Sequence, residues 1–291
     1  MEYLLHILIL INIYIILSVS LNLIAGYTGL LSIAHAAFYG LGAYITALLS
    51  VHFGTNFLFN MILGMIGTAI LGVIVAFPSL RIYDDYFVIA TFGFQMIIYS
   101  ILNNWVSLTR GPLGIPGIPE VSLFGFRFDN YRKFFVLTGL FAILSFLLIN
   151  RLVNSPFGRV LKAIREDEVF AKSLGKNVTA YKIKVFIIGG AIASIAGNLY
   201  AHYVTFIDPT SFTILESILI LSMVIIGGAG NLWGGVLGAV ILVVLPEILR
   251  FIGMPSAVAS NMRQIFYGAL LVLFMLFRPQ GILGEYAFRK K

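Results

Sequence analysis

Apolar runs of about twenty residues recur along this chain, and they restrict its fold more than any motif does. A helix of that length just crosses the roughly 30 Å hydrocarbon core of a bilayer. By this measure spans are expected near residues 4–24, 31–50, 57–78, 87–102, 134–150, 185–204, 213–228, 232–249 and 264–277. The expected fold is all-α: a polytopic membrane protein with about 8–10 transmembrane helices. A single transmembrane domain over residues 1–291 is expected. With 60% apolar and 11% charged residues and a mean hydropathy of +1.00, the chain would not dissolve as a globule. Ordinary soluble domains carry roughly a quarter charged residues. The first run, Tyr3 to Ile24, exceeds the roughly 7–15 apolar residues of a cleavable signal and follows no basic segment, so it reads as a transmembrane helix.

Between these spans lies one long polar stretch, Arg151 to Lys184, holding Arg151, Arg159, Lys162, Arg165, Lys172, Lys176, Lys182 and Lys184. Basic loops stay cytoplasmic, so loop 151–184 is expected inside. Alternation then puts the C-terminal tail inside, consistent with Arg278, Arg289, Lys290 and Lys291, and the N-terminus outside. Arg110, Arg127, Arg132 and Lys133 in the outer loop 103–133 run against the rule, but the larger loop and the tail outweigh them. The net charge of +7 therefore reflects topology, and no nucleic-acid partner is expected.

Within the polar stretch, Ser155-Pro156 reads as an N-cap followed by proline at the first helical position. Phe157, Val160, Leu161, Ile164, Ala171 and Leu174 fall on one face, with Arg159, Lys162, Arg165, Glu166 and Lys172 on the others. Gly175 fits a C-cap, and Asp167 is placed to cap a second short helix. Such an amphipathic segment either lies on lipid headgroups or docks in a partner's groove.

Three places look irregular. Gly26-Tyr27-Thr28-Gly29 and Gly227-Gly228-Ala229-Gly230-Asn231 join apolar runs without an ordinary loop. Both begin G-x-x-G-x-L, and each precedes a Leu-Gly-Ala, at 41–43 and 237–239. Broken or re-entrant helices in an internal repeat are one reading; plain glycine turns are the other. The third place, Thr109 to Pro119, is rich enough in Gly and Pro to form a stiff lid over the outer face.

These residues resemble the branched-chain amino acid ABC-importer permeases. The resemblance is carried by Gly26-Tyr27-Thr28-Gly29-Leu30-Leu31-Ser32 to His35-Ala36-Ala37-Phe38 and by Gly40-Leu41-Gly42-Ala43-Tyr44. Tyr86 to Phe94, Ser155-Pro156-Phe157-Gly158-Arg159, Ala163-Ile164-Arg165-Glu166-Asp167, Ser173-Leu174-Gly175, Glu216 to Ile220 and Arg278-Pro279-Gln280-Gly281 extend it. It spans about residues 20–285, and the wording at 164–167 with the 109–119 loop is similar to the LivM-like branch. The resemblance implies an inner-membrane permease that pairs with a second, related permease. It also implies two cytoplasmic ATPase subunits and an extracytoplasmic substrate-binding protein. On this basis 155–175 is expected to carry the helix that docks on the ATPase, with Arg159, Lys162, Ala163, Arg165, Asp167 and Gly175 near the contact.

No chemistry of the chain's own is expected. Gly175-Lys176 is followed by Asn177, so no phosphate-binding loop is present, and no catalytic or metal-ligand spacing involves the four histidines. With no cysteine, thiolate chemistry is excluded, and no cofactor is expected. Intramembrane polar residues are the pathway candidates: Gly26, Gly29, His35, Gln95, Gly227 and Gly230, with Asn12, Asn22, Asn198, His202, Glu216 and Glu247 as further polar positions. For any one of these, a helix-to-helix hydrogen bond is the simpler reading. A permease for urea or short-chain amides is an alternative within the family. An ion-coupled transporter using Glu216 and Glu247, expected near span ends, is an alternative of another class.

Overall fold

In the computed structural model, residues 2–79, 84–123, 126–251, 256–278 and 280–284 are described. The chain is almost entirely helical. Its helices are α1 (Glu2–Thr28), α2 (His35–Phe53), α3 (Phe57–Ser79), α4 (Asp84–Asn104), the single turn α5 (Val106–Thr109) and α6 (Tyr131–Val153). Then come α7 (Pro156–Glu166), α8 (Glu168–Ser173), α9 (Val178–Val204), α10 (Ile214–Gly227), α11 (Leu232–Phe251) and α12 (Ser256–Phe277). Among the described residues six helices are long and apolar enough to cross a membrane: α1 to α4, α6 and α9. Three shorter apolar stretches, Ile214–Gly227, Leu232–Glu247 and Ile265–Phe277, match the remaining expected spans.

α9 is the axis of the bundle. α1 packs antiparallel to it, with Gly189 against Ile24 near one end and His6 bonded to Tyr203 near the other. α2 runs parallel to α9, with Gly42 seated on Ser194 and Asn198 donating to Thr46 Oγ1 at 2.9 Å. α3 runs antiparallel, with Gly64 on Ser194 and Gly72 on the Phe186 backbone. A Cβ at Gly42 would lie 2.6 Å from Ser194, so glycine is what lets these two backbones close.

The ends differ in chemistry. α7 and α8 lie at one end with the end of α1 and with residues 281–284, where Ile282 N donates to Ile226 O and Leu283 N to Gly227 O. At the opposite end, β1 (Ile115–Pro116) pairs with β4 (Phe206–Ile207), and β2 (Ser122–Leu123) pairs with β3 (Phe126–Arg127). The expected lid thus folds as a 3-10 turn, Gly111–Leu113, followed by a strand tied to the chain leaving α9. Arg289, Lys290 and Lys291 fall outside the described residues.

Several boundaries differ from expectation. α2 begins at His35 rather than near 31, and α9 begins at Val178 rather than near 185, so Lys182 and Lys184 belong to a span and not to the loop, while α10 keeps its expected bounds to within a residue. α1 continues to Thr28, so Gly26 is helical, and the break is the coil from Gly29 to Ala34 with Gly29 at φ 78°. α10 has 14 residues, about 21 Å at 1.5 Å per residue, too short to cross alone. Irregular backbone supplies the remainder. Asp208 caps a 3-10 turn, Pro209–Phe212, that dips into the bundle until Phe212 is 1% exposed against Tyr39 and Tyr44. Such backbone is tolerated at depth because protein, not lipid, surrounds it. Consequently Glu216, although in the first turn of α10 as expected, faces Tyr14 midway along α1, with its carboxyl buried rather than open to water. Glu247 does lie at an end, accepting a hydrogen bond from the Tyr3 hydroxyl.

Candidate functional site

The two glycine motifs meet. Gly230 N donates to Asn22 Oδ1 at 3.0 Å, and Asn22 Nδ2 donates to Asn231 O at 2.7 Å. Asn22 therefore satisfies one amide and one carbonyl of the second break from the body of α1. A Cβ at Gly26 would lie 2.4 Å from Gly230 N, so only glycine admits this approach. Gly29 and Gly230, the second glycines of the two motifs, share left-handed backbone at φ 78° and 81°. Gly227 is equally crowded, with a Cβ there reaching 1.9 Å from Gly234 O.

Above the first break, the start of α2 sits within the bundle. His35 is fully buried, with Nε2 2.8 Å from Ser20 Oγ. Ala36 N donates to Ser217 Oγ at 2.9 Å, and Ser217 Oγ donates to Gln95 Oε1 at 3.3 Å. Gln95, also fully buried, donates to Phe212 O at 2.8 Å. Gln95 and Ser217 thus join α4, α10 and the start of α2. The pathway candidates Gly26, Gly29, His35, Gln95, Gly227 and Gly230 form one packed polar seam bonded by the chain's own groups, with His35 Nδ1 buried and unpartnered among the described residues. Asn12 and Asn198 bond Thr138 and Thr46 on neighbouring helices, as simple packing contacts do.

The basic loop folds into two capped helices. The Ser155 side chain accepts from Phe157 N, Asp167 accepts from Phe170 N at 3.0 Å, and Gly175 follows α8 at φ 73°. Leu161, Ile164 and Ala171 are buried, whereas Leu174, expected on the same face, is 59% exposed. The Asp167 cap turns α8 relative to α7, so one helical wheel does not describe both. With Val169 and Phe170, Leu174 instead forms an exposed apolar tip.

Of the six residues expected near an ATPase contact, Arg159, Asp167 and Gly175 are exposed, and Ala163 is half-buried. Lys162 lies 5.7 Å over the Tyr27 ring. Arg165 points inward, its side chain 9% exposed. Its Nη1 donates to Gly26 O at 2.8 Å, a carbonyl in the last turn of α1, where the helix leaves carbonyls unpaired. Its Cγ is 3.1 Å from where a Cβ of Gly29 would be. Glu166 pairs with Arg165 at 3.0 Å. Glu168 holds Lys172 at 2.9 Å and the buried Lys182 of α9 at 2.6 Å. Burial alone raises the Glu168 carboxyl, but the two ammonium groups outweigh it and hold it below its usual range.

Sequence reasoning listed Asn22 only among polar positions and did not single out Ser20 or Ser217. Asn22 lies one helical turn before Gly26, which is the signal available for it. Among the described residues no cluster of three His, Asp or Glu side chains fits a metal ion.

A family profile described as a branched-chain amino acid transport system permease component matches residues 3–275. The high-affinity branched-chain amino acid transport permease protein LivM of Salmonella typhimurium is 37% identical, covering 93% of this chain and 68% of that protein. A probable LivM of Methanocaldococcus jannaschii is 31% identical, covering 94% and 91%, and LivH of Escherichia coli is 24% identical over the same shares. No solved structure matches the chain. A match over nearly the whole length means that this chain belongs to the branched-chain amino acid transport system permease family.

Proposed function

We propose that this chain forms half of the pathway by which an ABC importer carries branched-chain amino acids across the inner membrane, as one transmembrane domain. It pairs with a second, LivH-like permease; two cytoplasmic ATPase subunits drive it, and an extracytoplasmic binding protein supplies it. The chain itself is a transport subunit without a site for ATP. The basic end faces the cytoplasm and the β1–β4 end faces out, in keeping with the distribution of Lys and Arg.

The observation that carries this reading is the Arg165–Gly26 contact. The exposed tip Val169, Phe170 and Leu174, fringed by Arg159, Lys172 and Lys176, is the surface offered to an ATPase groove. Arg165, on the far side of the same element, grips the end of α1 beside both breaks. A push on α8 and α7 therefore reaches the polar seam through one guanidinium. That division of labour is measurable in the reconstituted complex. Arg159→Glu weakens ATPase association, whereas Arg165→Ala leaves association intact and lowers leucine uptake by about tenfold, the size of one lost charge-assisted hydrogen bond. Normal uptake by the Arg165→Ala protein overturns the assignment.

A further inference from the structure

At the end opposite the basic helices, a cleft of about 370 Å³ opens between the α2–α3 turn and the chain that follows β1. That volume is at the lower end of small-ligand sites. Phe57 and Val121, 2% and 1% exposed, form part of its floor, and the exposed Asn56, Glu120 and Ser122 are on its rim. None of the contacts within the buried seam involves it.

His202 gives the cleft a direction. The side chain is 4% exposed, and Nδ1 lies 2.7 Å from the Pro119 carbonyl oxygen. A carbonyl only accepts, so Nδ1 carries the proton and Nε2 presents a bare lone pair. Among the described residues nothing donates to that nitrogen. A buried acceptor in this condition is met by water or by the donor of a ligand that reaches it from the cleft. Glu120 adds a carboxylate to the lining, and among the described residues no Lys or Arg lines the cleft. Lone pair and carboxylate together suit an ammonium group.

The second pole is the start of α3. Its first helical hydrogen bond is Asn60 N to Asn56 O at 3.0 Å, so the N–H groups of Phe57, Leu58 and Phe59 have no carbonyl one turn back. A helix N-terminus carries partial positive charge and receives a carboxylate without a fixed cation.

We infer that this cleft binds a free α-amino acid, with His202 Nε2 and Glu120 holding its ammonium and the first turn of α3 holding its carboxylate. The inference rests on the transport reading above and adds to it a first station on the outer face.

The test uses the absence of cysteine from the chain. Asn56→Cys is placed on the rim in the reconstituted transporter, and its alkylation by a charged maleimide is timed with no binding protein present. L-leucine is expected to slow labelling. 4-Methylpentanoate, which lacks the ammonium, and 3-methylbutylamine, which lacks the carboxylate, are expected to leave it unchanged at the same concentration. Glu120→Gln, at an exposed position that leaves packing alone, raises the half-protecting leucine concentration by about tenfold. His202→Gln, which keeps a donor for the Pro119 carbonyl, does the same. Protection that survives both substitutions overturns the site. So does unchanged labelling in a transporter that imports leucine once its binding protein is added, and the transport reading then stands. Neither protection nor import means that the amino-acid reading fails and takes this inference with it.

Discussion

At the first break the chain leaves α1 against a side chain, Arg165 of α7; at the second it leaves α10 against backbone, residues 281–284. The two motifs read alike in sequence and share the left-handed second glycine. Their surroundings differ in stiffness. A guanidinium on a long stem adjusts, and it belongs to an element exposed at the basic end. Gly228, at φ 125°, is pressed between its own turn and Gly284, with a Cβ there 2.2 Å from the Gly284 amide nitrogen. On the coupling proposed above, the first break is the one that would answer a partner, and the second its fixed reference. Asn22 spans the gap, holding the second break from the helix that ends in the first.

Substituting the glycines breaks this comparison most severely. Gly228→Ala combines strained φ with a backbone collision, and a loss of more than about 3 kcal/mol is expected. Gly29→Ala, at φ 78° with only the flexible Arg165 stem at 3.1 Å, is expected to cost about 1–2 kcal/mol. Thermal unfolding in detergent ranks them. Equal losses would mean that the two breaks are equally rigid.

Asn22→Leu comes next. It leaves Gly230 N–H and the Asn231 carbonyl without their buried partner, for about 1–3 kcal/mol. Asn12→Leu is the control, because Asn12 donates to Thr138 across an ordinary helix contact at 3.1 Å. Such contacts average about 0.6 kcal/mol in membrane proteins. If the two asparagines cost the same in unfolding assays, Asn22 is packing and does not tie the breaks together.

How far the sequence showed these differences depends on the range of the interactions involved. The spans, the caps at Ser155 and Asp167 and the turn at Gly175 are local, and they were legible from hydropathy and neighbouring residues. Both breaks were legible as glycine clusters. The extra turn of α1 through Gly26 was not, because the choice between Gly26 and Gly29 depends on Gly230 and Arg165, far away in the chain. Arg165 was expected near the ATPase contact, and nothing local marks a guanidinium that instead reaches back 139 residues to Gly26. The burial of the Glu216 carboxyl was missed for a similar reason. Its depth follows from the buried turn ending at Phe212, whose pocket is built by Tyr39 and Tyr44 from another helix.

Acid offers the mildest way to sharpen the contrast. The support of the first break runs through α7 and α8, and α8 is tied to α9 by Glu168 and Lys182. The folded Glu168 carboxyl titrates below the 4.5 of a free glutamate, burial notwithstanding, because Lys182 and Lys172 favour its charged form. A depressed carboxylate stabilises the fold above the unfolded pKa, and that contribution is lost as pH falls through the folded value. The tie is thus intact at neutral pH and weakens with acid below about 4.5. Glu168 is partly open to solvent, so screening keeps the effect small. Amide hydrogen exchange, corrected for intrinsic rates, should show α8 losing protection on acidification, and Glu168→Gln should flatten that profile. Among the described residues the clamp of the second break is backbone, Ile282 and Leu283 donating their amides to Ile226 and Gly227. Its protection should hold over the same range. A parallel loss at both breaks would show that acid loosens the bundle as a whole rather than the strut beneath the first.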